Sequence, residues 1–322
     1  MKQIIEIIPN YSEGKQEAVM KEILAPFQRP EITLCKLEMD ASYHRSVVSV
    51  IGELDAVLDA AIASLQIASR LIDLRSHKGE HKRMGACDVL PLLPIHNITT
   101  EELIAISEEF GRRIAEETKI PVYLYALSAK REQCTNLPDI RKGEFEGLQE
   151  KMQDPYWHPD FGSPDIHPTA GAIAVGVRKP LLAYNVDVTC SDLAQVKEIA
   201  KAMRFSSGGY RFIQAGAVQL EDRYQVSMNV TDYTKTALYR AFEAVAMEAK
   251  RYDAVASGSE IIGLIPKDAL LDTLAYYLKK PDKNSLQNLS LDEIVELAVH
   301  HLKLYGFTKE KVVEYYVAAD SV

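Results

Sequence analysis

Glu31-Ile-Thr-Leu-Cys-Lys-Leu-Glu-Met-Asp40-Ala-Ser-Tyr-His44-Arg45-Ser-Val-Val-Ser-Val-Ile-Gly52 decides the fold. Two runs rich in β-branched and apolar residues flank Ala41-Ser42-Tyr43-His44, so residues 31–40 and 45–52 are expected to be strands joined by a short turn. Upstream, isoleucine-rich residues 2–8 read as a buried strand ending at Pro9-Asn10, and Ser12 offers an N-cap oxygen to a helix running to about residue 27. Downstream, Glu53 opens an alanine-rich helix to residue 72, and residues 87–95 form the next strand. The order is β-α-β-β-α-β, a split βαβ arrangement. Residues 99–118 add a helix with a Thr-Thr-Glu-Glu start, and residues 121–127 add a further strand.

The second half repeats the scheme. Residues 181–188 read as a strand, 193–203 as a helix, 211–220 and 224–230 as a strand pair, 235–251 as a helix and 261–265 as a strand. The expected fold class is therefore α+β, with two similar βαββαβ-type, ferredoxin-like sandwich subdomains flanking a cleft that is the natural ligand site. The boundaries read as 1–178, 179–284 and a helical tail, 285–322. In that tail, apolar positions 291, 294, 295, 297, 298, 302 and 304 form a stripe that must pack on the body or on another subunit.

At 322 residues, two packed cores are expected rather than one. A hydrophobic content of 47% with 26% charged residues is ordinary for a globular protein. The net charge of -9 argues against general nucleic-acid binding, which needs a broad basic face. Four widely spaced cysteines read as reduced thiols, and no signal peptide or spanning segment is evident, so a cytoplasmic protein is expected.

Against that acidic background, Arg75-Ser-His-Lys-Gly-Glu-His-Lys-Arg-Met-Gly-Ala-Cys-Asp88 packs two histidines and four Lys/Arg side chains into the nine residues from Arg75 to Arg83. Solvated loops are often charged, but this one runs between a strongly apolar helix and an apolar strand. Gly79 and Gly85 flank His81, which suits tight backbone geometry or close approach by a ligand. His81 is of the type that exchanges protons near neutrality, and Lys78 and Arg83 can hold an anionic substrate beside it. In a split βαβ layout the end of the 31–40 strand reaches the same rim. Asp40 is then placed to orient His81, and Arg45 to bind a carboxylate.

His77 and His81 have the spacing of a helical metal pair, but Gly79 between them and the lack of helix signals argue against one, and no metal is expected. No GxSxG elbow is present, and Gly208-Gly209 lacks the strand and helix of a dinucleotide site. Residues 151–171 carry four prolines, Tyr156, Trp157 and Phe161; they read either as a linker between the halves or as a rigid, ring-lined edge for a flat heterocycle such as a pterin.

Several stretches together resemble the glutamate formiminotransferase family, including the transferase half of formiminotransferase-cyclodeaminase. They are Ile8-Pro-Asn-Tyr-Ser-Glu-Gly14, Arg70-Leu-Ile-Asp73, His77-Lys-Gly-Glu-His-Lys-Arg-Met-Gly-Ala86, Pro121-Val-Tyr-Leu-Tyr125, Pro159-Asp-Phe-Gly162, His167-Pro-Thr-Ala-Gly-Ala172 and Gly263-Leu-Ile-Pro266. The resemblance implies transfer of the formimino group from N-formimino-L-glutamate to N5 of tetrahydrofolate in histidine degradation, with tetrahydrofolate as co-substrate. It makes His81 the catalytic histidine and Gly162-Ser163-Pro164-Asp165-Ile166-His167-Pro168-Thr169-Ala170-Gly171 the folate-binding loop, and it implies two α+β subdomains and a homodimer. Relatives commonly carry proline where this chain has Lys82 and asparagine where it has His44. Because the fused cyclodeaminase of some relatives has no counterpart here, that step is expected on a separate protein. Three other readings stay open: a glutamate formyltransferase using 5-formyltetrahydrofolate, a non-catalytic folate-binding protein and a metal-dependent amidohydrolase, which sensitivity to a chelator would support.

Overall fold

A computed structural model describes residues 2–318, which divide into two compact units on either side of the Arg178–Lys179 boundary. In the first unit β1 (Ile4–Ile7) and β2 (Asn10–Tyr11) are two pieces of one strand, interrupted at Ile8 and Pro9. Helix α1 (Glu17–Leu24) leads to the hairpin β3 (Ile32–Asp40) and β4 (Arg45–Glu53), and α2 (Leu54–Leu71) and β5 (Cys87–His96) complete β-α-β-β-α-β. The expected hairpin forms, with Ile32 opposite Gly52, Asp40 opposite Arg45 and a bulge between Leu34 and Lys36.

Helix α2 forms because Leu54, Val57, Leu58, Ala61, Ile62, Leu65 and Ala68 recur at helical spacing and are all buried. Its Asp55 and Arg70 sit at the ends the helix dipole favours. Helix α3 (Thr100–Thr118) starts in a capping box between Thr99 and Glu102, as its Thr-Thr-Glu-Glu start predicts. The N-terminus of α1 departs from expectation. Ser12 is buried and donates to the Gly85 carbonyl (2.8 Å); Glu13 Oε1 instead accepts the backbone N–H groups of Lys15 (2.7 Å) and Gln16 (2.9 Å).

After α3 the chain forms β6 (Val122–Leu124), two short helices, α4 (Leu137–Arg141) and α5 (Glu144–Lys151), and β7 (Ile173–Val177). The sheet runs β3-β4-β1/β2-β5-β7-β6, with β7 parallel to both β5 and β6. Sequence reasoning misses β7, since Ile-Ala-Val-Gly-Val is short and includes Ala and Gly, yet all five residues are buried between β5 and β6. Its place there shows that residues 151–171 are not a linker between halves. They double back along β6, where Val122 N donates to Phe161 O and Asp160 N to Val122 O. One face of the sheet packs on α1, α2 and α3; the other carries a smaller core of Val89, Tyr123, Tyr125, Ile140, Leu148 and Met152.

The second unit comprises β8 (Leu182–Val188), α6 (Leu193–Met203), β9 (Ile213–Gln219), β10 (Tyr224–Val230), α7 (Leu238–Ala249) and β11 (Ala256–Ile262), in an antiparallel sheet ordered β11-β8-β10-β9. That is the ferredoxin-like order, so the repeated β-α-β-β-α-β reading holds. Strand β11 begins five residues before the expected 261, because Ala-Ser-Gly-Ser-Glu carries little apolar signal and is held by its ladder with β8 and by polar bonds such as Ser259 Oγ to Leu302 O. Beyond it lie α8 (Lys267–Tyr277), α9 (Leu291–Leu302) and α10 (Val313–Ala318). Ile294, Ala298 and Leu302 of α9 join the core of this unit, which settles where the apolar stripe packs. Among the described residues no helix is long and apolar enough to cross a membrane.

Candidate active site

The site is built on the sheet face of the first unit opposite α1 to α3, where the start of β4, the start of β5 and the loop between α2 and β5 meet. Arg45 is the first residue of β4. Its Nη1 lies 2.6 Å from Nδ1 and 2.9 Å from Nε2 of His81. Nη2 and Nε donate to Asn10 Oδ1 at 2.6 and 3.1 Å, and Nη1 is 3.5 Å from Asp88 Oδ2. Asp88 is buried, accepts the Met84 N–H (2.7 Å), and also pairs with Arg141 Nη2 at the end of α4. One carboxylate therefore serves two guanidiniums beside the imidazole.

These surroundings keep His81 neutral. Burial, then the charges of Arg45 and Arg141, lower its pKa from the ordinary 6.5 to about 4, with Asp88 opposing them. At pH 7 the ring is a free base able to take a proton. The sign also fixes a stability effect: the unfolded chain protonates His81 below about 6.5, while the folded chain does so only near 4, so its contribution is complete above 6.5 and is lost as pH falls toward 4. An NMR titration, with His81 assigned by its absence in His81→Asn, should give a midpoint near 4. A midpoint near 6.5 would remove this electrostatic picture.

The backbone of the loop is clamped from two sides. On one side, Glu80 N donates to Ser42 O, and a Cβ on Gly79 would lie 2.4 Å from Tyr43 O, so the loop sits directly on the β3–β4 turn. His44 belongs to that turn with φ +51°, a left-handed conformation that asparagine and histidine tolerate better than most residues. Its ring stacks on His77 (centroids 4.2 Å apart) and reaches Glu13 Oε1 (3.2 Å) and Lys78 O (3.1 Å). On the other side, Ala86 N donates to Ala170 O, Ala172 N to Met84 O and Leu74 N to Thr169 O. The histidine loop and residues 162–171 are thus sewn together along their backbones.

Within residues 162–171 the geometry is set by short-range bonds. His167 and Gly171 exchange both backbone hydrogen bonds at 2.9 Å, and His167 Nδ1 accepts Ala170 N (3.1 Å). Ser163 Oγ donates to Asp165 Oδ2 (2.8 Å), and Thr169 Oγ1 donates to Ser69 O (3.2 Å). Gly162 and Gly171 have φ of +91° and +67°. A Cβ on Gly85 would meet Ala172 O at 2.0 Å, backbone against backbone. Gly85→Ala is accordingly expected to force the seam open and destabilise the first unit by on the order of 2 kcal/mol, read as a lowered denaturant midpoint; an unchanged midpoint would show that the seam yields freely.

The structure brings Arg45 to His81 and leaves the other expected partners elsewhere. Asp40 is exposed, and its Oδ1 accepts the Tyr43 N–H (2.8 Å), closing the turn instead of touching the imidazole. Tyr43 reaches His81 edge-on, 6.2 Å between centroids. Arg83 is buried and bidentate on Glu146 (2.6 and 2.8 Å), with Nε on His77 Nδ1 (3.3 Å), so its guanidinium is occupied in holding α5 to the loop. Lys78 is exposed. His77 is held by His44 O (3.0 Å) and Arg83, apart from His81, and among the described residues no group of three His, Cys, Asp or Glu side chains is placed to hold a metal. Trp157 has the Lys151 ammonium 3.7 Å from its ring centre, and Phe161 lies under the Arg112 guanidinium, so these rings are part of the fold's own packing.

Asn10, Asp88 and Arg141 are the residues that sequence reasoning passes over. Asp88 ends the basic stretch quoted above, and Asn10 lies in a stretch carrying the family resemblance. No local signal marks Arg141.

Two domain families match the chain. The formiminotransferase domain, N-terminal subdomain, covers residues 4–178, and the formiminotransferase domain covers residues 183–318. The chain belongs to the formiminotransferase family. Among curated relatives, a glutamate formimidoyltransferase of Streptococcus pyogenes serotype M1 is 45% identical over 88% of this chain and 95% of its own length. A glutamate formimidoyltransferase of Thermoplasma acidophilum is 39% identical over 86% of this chain and 92% of its own. The formimidoyltransferase-cyclodeaminase of Gallus gallus is 36% identical over 99% of this chain but only 61% of its own length. The family motif at residues 8–14 now has a physical meaning: Asn10 holds Arg45, Ser12 holds Gly85, Glu13 holds the backbone just before α1 and reaches His44, and Gly14 fits under Asp40 O.

Proposed function

We propose that this formiminotransferase moves the formimino group from N-formimino-L-glutamate to N5 of tetrahydrofolate, releasing 5-formiminotetrahydrofolate and L-glutamate. The observation that carries the reading is a neutral imidazole, His81, held against a guanidinium at the seam with residues 162–171. Tetrahydrofolate is a co-substrate, with those residues as its loop.

In this reaction N5 attacks the formimino carbon and a C–N bond forms. His81 accepts the proton that N5 sheds. The bond from carbon to the glutamate nitrogen then breaks, and His81 returns the proton to the departing amine. Such acid–base help is worth about 10²–10⁴-fold, and alignment of two bound substrates contributes up to about 7–11 kcal/mol. Arg45 is placed to accept a substrate carboxylate next to the ring. Its arrival offsets part of the positive field on His81 and restores proton affinity when the base is needed. Asp40 acts through the turn that carries Tyr43 and His44. Lys78, exposed on the loop, draws anionic substrates toward it. We place the enzyme in the cytoplasm, as a homodimer.

The test is a coupled assay: purified protein, tetrahydrofolate and N-formiminoglutamate, then acid and absorbance of the cyclised folate. Formation of that chromophore is expected. Silence with this donor but formylation of glutamate from 5-formyltetrahydrofolate would transfer the protein to the formyl reaction, and silence with both would leave a folate-binding protein.

A further inference from the structure

Arg141 sits at the C-terminal end of α4, a five-residue helix that sequence patterns do not mark. Three observations set it apart from the surface cations. Its Nη2 is bound to Asp88 Oδ2, the same oxygen that Arg45 approaches at 3.5 Å. Its Nε is buried and donates to no acceptor among the described residues. Its backbone is fixed by Lys151, whose ammonium binds the carbonyls of Asp139 (2.6 Å), Ile140 (2.7 Å) and Lys142 (3.3 Å). Only 12% of the side chain is exposed. Two guanidiniums thus converge on one carboxylate beside His81, leaving one positive charge and one buried N–H with no partner. That combination selects a ligand anion able to accept from a planar fork.

The chemistry of the proposed reaction says which anion. In an N-formimino amino acid the nitrogen that departs is bonded to the α-carbon, so the α-carboxylate oxygens are only three bonds from it. The side-chain carboxylate is five bonds away, and the glutamyl tail of the folate is separated from N5 by an entire aromatic spacer. A carboxylate that lies at the imidazole while the reacting atoms meet there is therefore the donor's α-carboxylate.

We propose that Arg141, with Arg45, forms the subsite for the α-carboxylate of the amino acid, and that Asp88 holds the two guanidiniums in place for it. The assignment rests on the transferase reading above and makes Arg141 a specificity residue. It also predicts that the same pair receives the α-carboxylate of glutamate if the group moved is formyl.

The test compares N-formimino-L-glutamate with N-formimino-4-aminobutyrate, which keeps the distal carboxylate and lacks the α-carboxylate. The native enzyme should favour the first by on the order of 10²-fold or more in kcat/KM. Arg141→Gln should raise KM for the first donor far more than it lowers kcat, and should collapse the preference between the two. Arg141→Lys keeps a charge for Asp88 and guards against simple misfolding; it should retain part of the preference. Tetrahydrofolate affinity, read by fluorescence titration, should change little in either variant. Equal use of both donors by the native enzyme, or an undiminished preference in folded Arg141→Gln, overturns the subsite. Failure of the transferase reading looks different: the native enzyme itself is then inactive with both formimino donors. If it formylates amino acids instead, the same comparison between glutamate and 4-aminobutyrate as acceptors decides the subsite.

Discussion

His81→Ala should lose about 10²–10⁴-fold in turnover while binding tetrahydrofolate nearly as well as the native protein. Arg45 keeps Asn10 and Asp88 when the imidazole is removed, so the arginine stays in place and the surrounding backbone seam is untouched. The loop itself is anchored by Ala86 N on Ala170 O and by Glu80 N on Ser42 O, and none of these bonds uses the His81 side chain. The loss should therefore fall on kcat, with circular dichroism and the denaturant midpoint little changed. Single-turnover kinetics with saturating donor would check it. A variant that keeps native turnover would strip His81 of its role as proton carrier and leave the cations as the active elements.

The largest effect on stability is expected from Asp88→Ala. Asp88 is 1% exposed and sits between Arg45 and Arg141, each with a side chain only 12% exposed. Removing it strands two buried like charges and an orphaned Met84 N–H. Breaking a buried pair by deleting one partner costs about 3–5 kcal/mol, and here one deletion breaks two pairs. Asp88→Asn should be milder for the backbone, because an amide oxygen still accepts from Met84, but it removes the charge that opposes the arginines at His81. The imidazole should then titrate lower still, and turnover should fall even where the fold survives. Equilibrium unfolding of both variants, read by a probe in the first unit, tests the ordering; an unchanged midpoint for Asp88→Ala would mean that the arginines find other partners or solvent at little cost.

The hairpin, the helices α2 and α3 and the repeated β-α-β-β-α-β order were legible because each is written in a local period, two for strands and 3.6 for helices. So was His81, since two histidines among four cations between two apolar segments form a contrast that a linear reading detects. Strand β7 escaped because its residues are small and its strand character comes from the neighbours on either side. Ser12 has the residue type of an N-cap, but Gly85, distant in sequence, draws its hydroxyl away; Glu13 holds the Lys15 and Gln16 N–H groups ahead of α1, whose N-cap position, Gln16, makes no side-chain cap bond.

By itself, then, the sequence determined the class of fold, the doubling of the unit and the candidate histidine, because periodicity and residue chemistry are properties of neighbours along the chain. Only the tertiary structure decided what that histidine faces. Four cations surround His81 in the linear stretch, yet the one that meets it is Arg45, 36 positions away, and the charge behind Arg45 is shared through Asp88 with Arg141, 53 positions beyond that aspartate. Lys78 and Arg83 are closer in sequence, but the loop path leaves Lys78 exposed and commits Arg83 to Glu146. The reason is physical: partner choice in a site depends on strand register and on how a loop closes over a sheet, and those are fixed by the burial of core residues far from the groups they bring together.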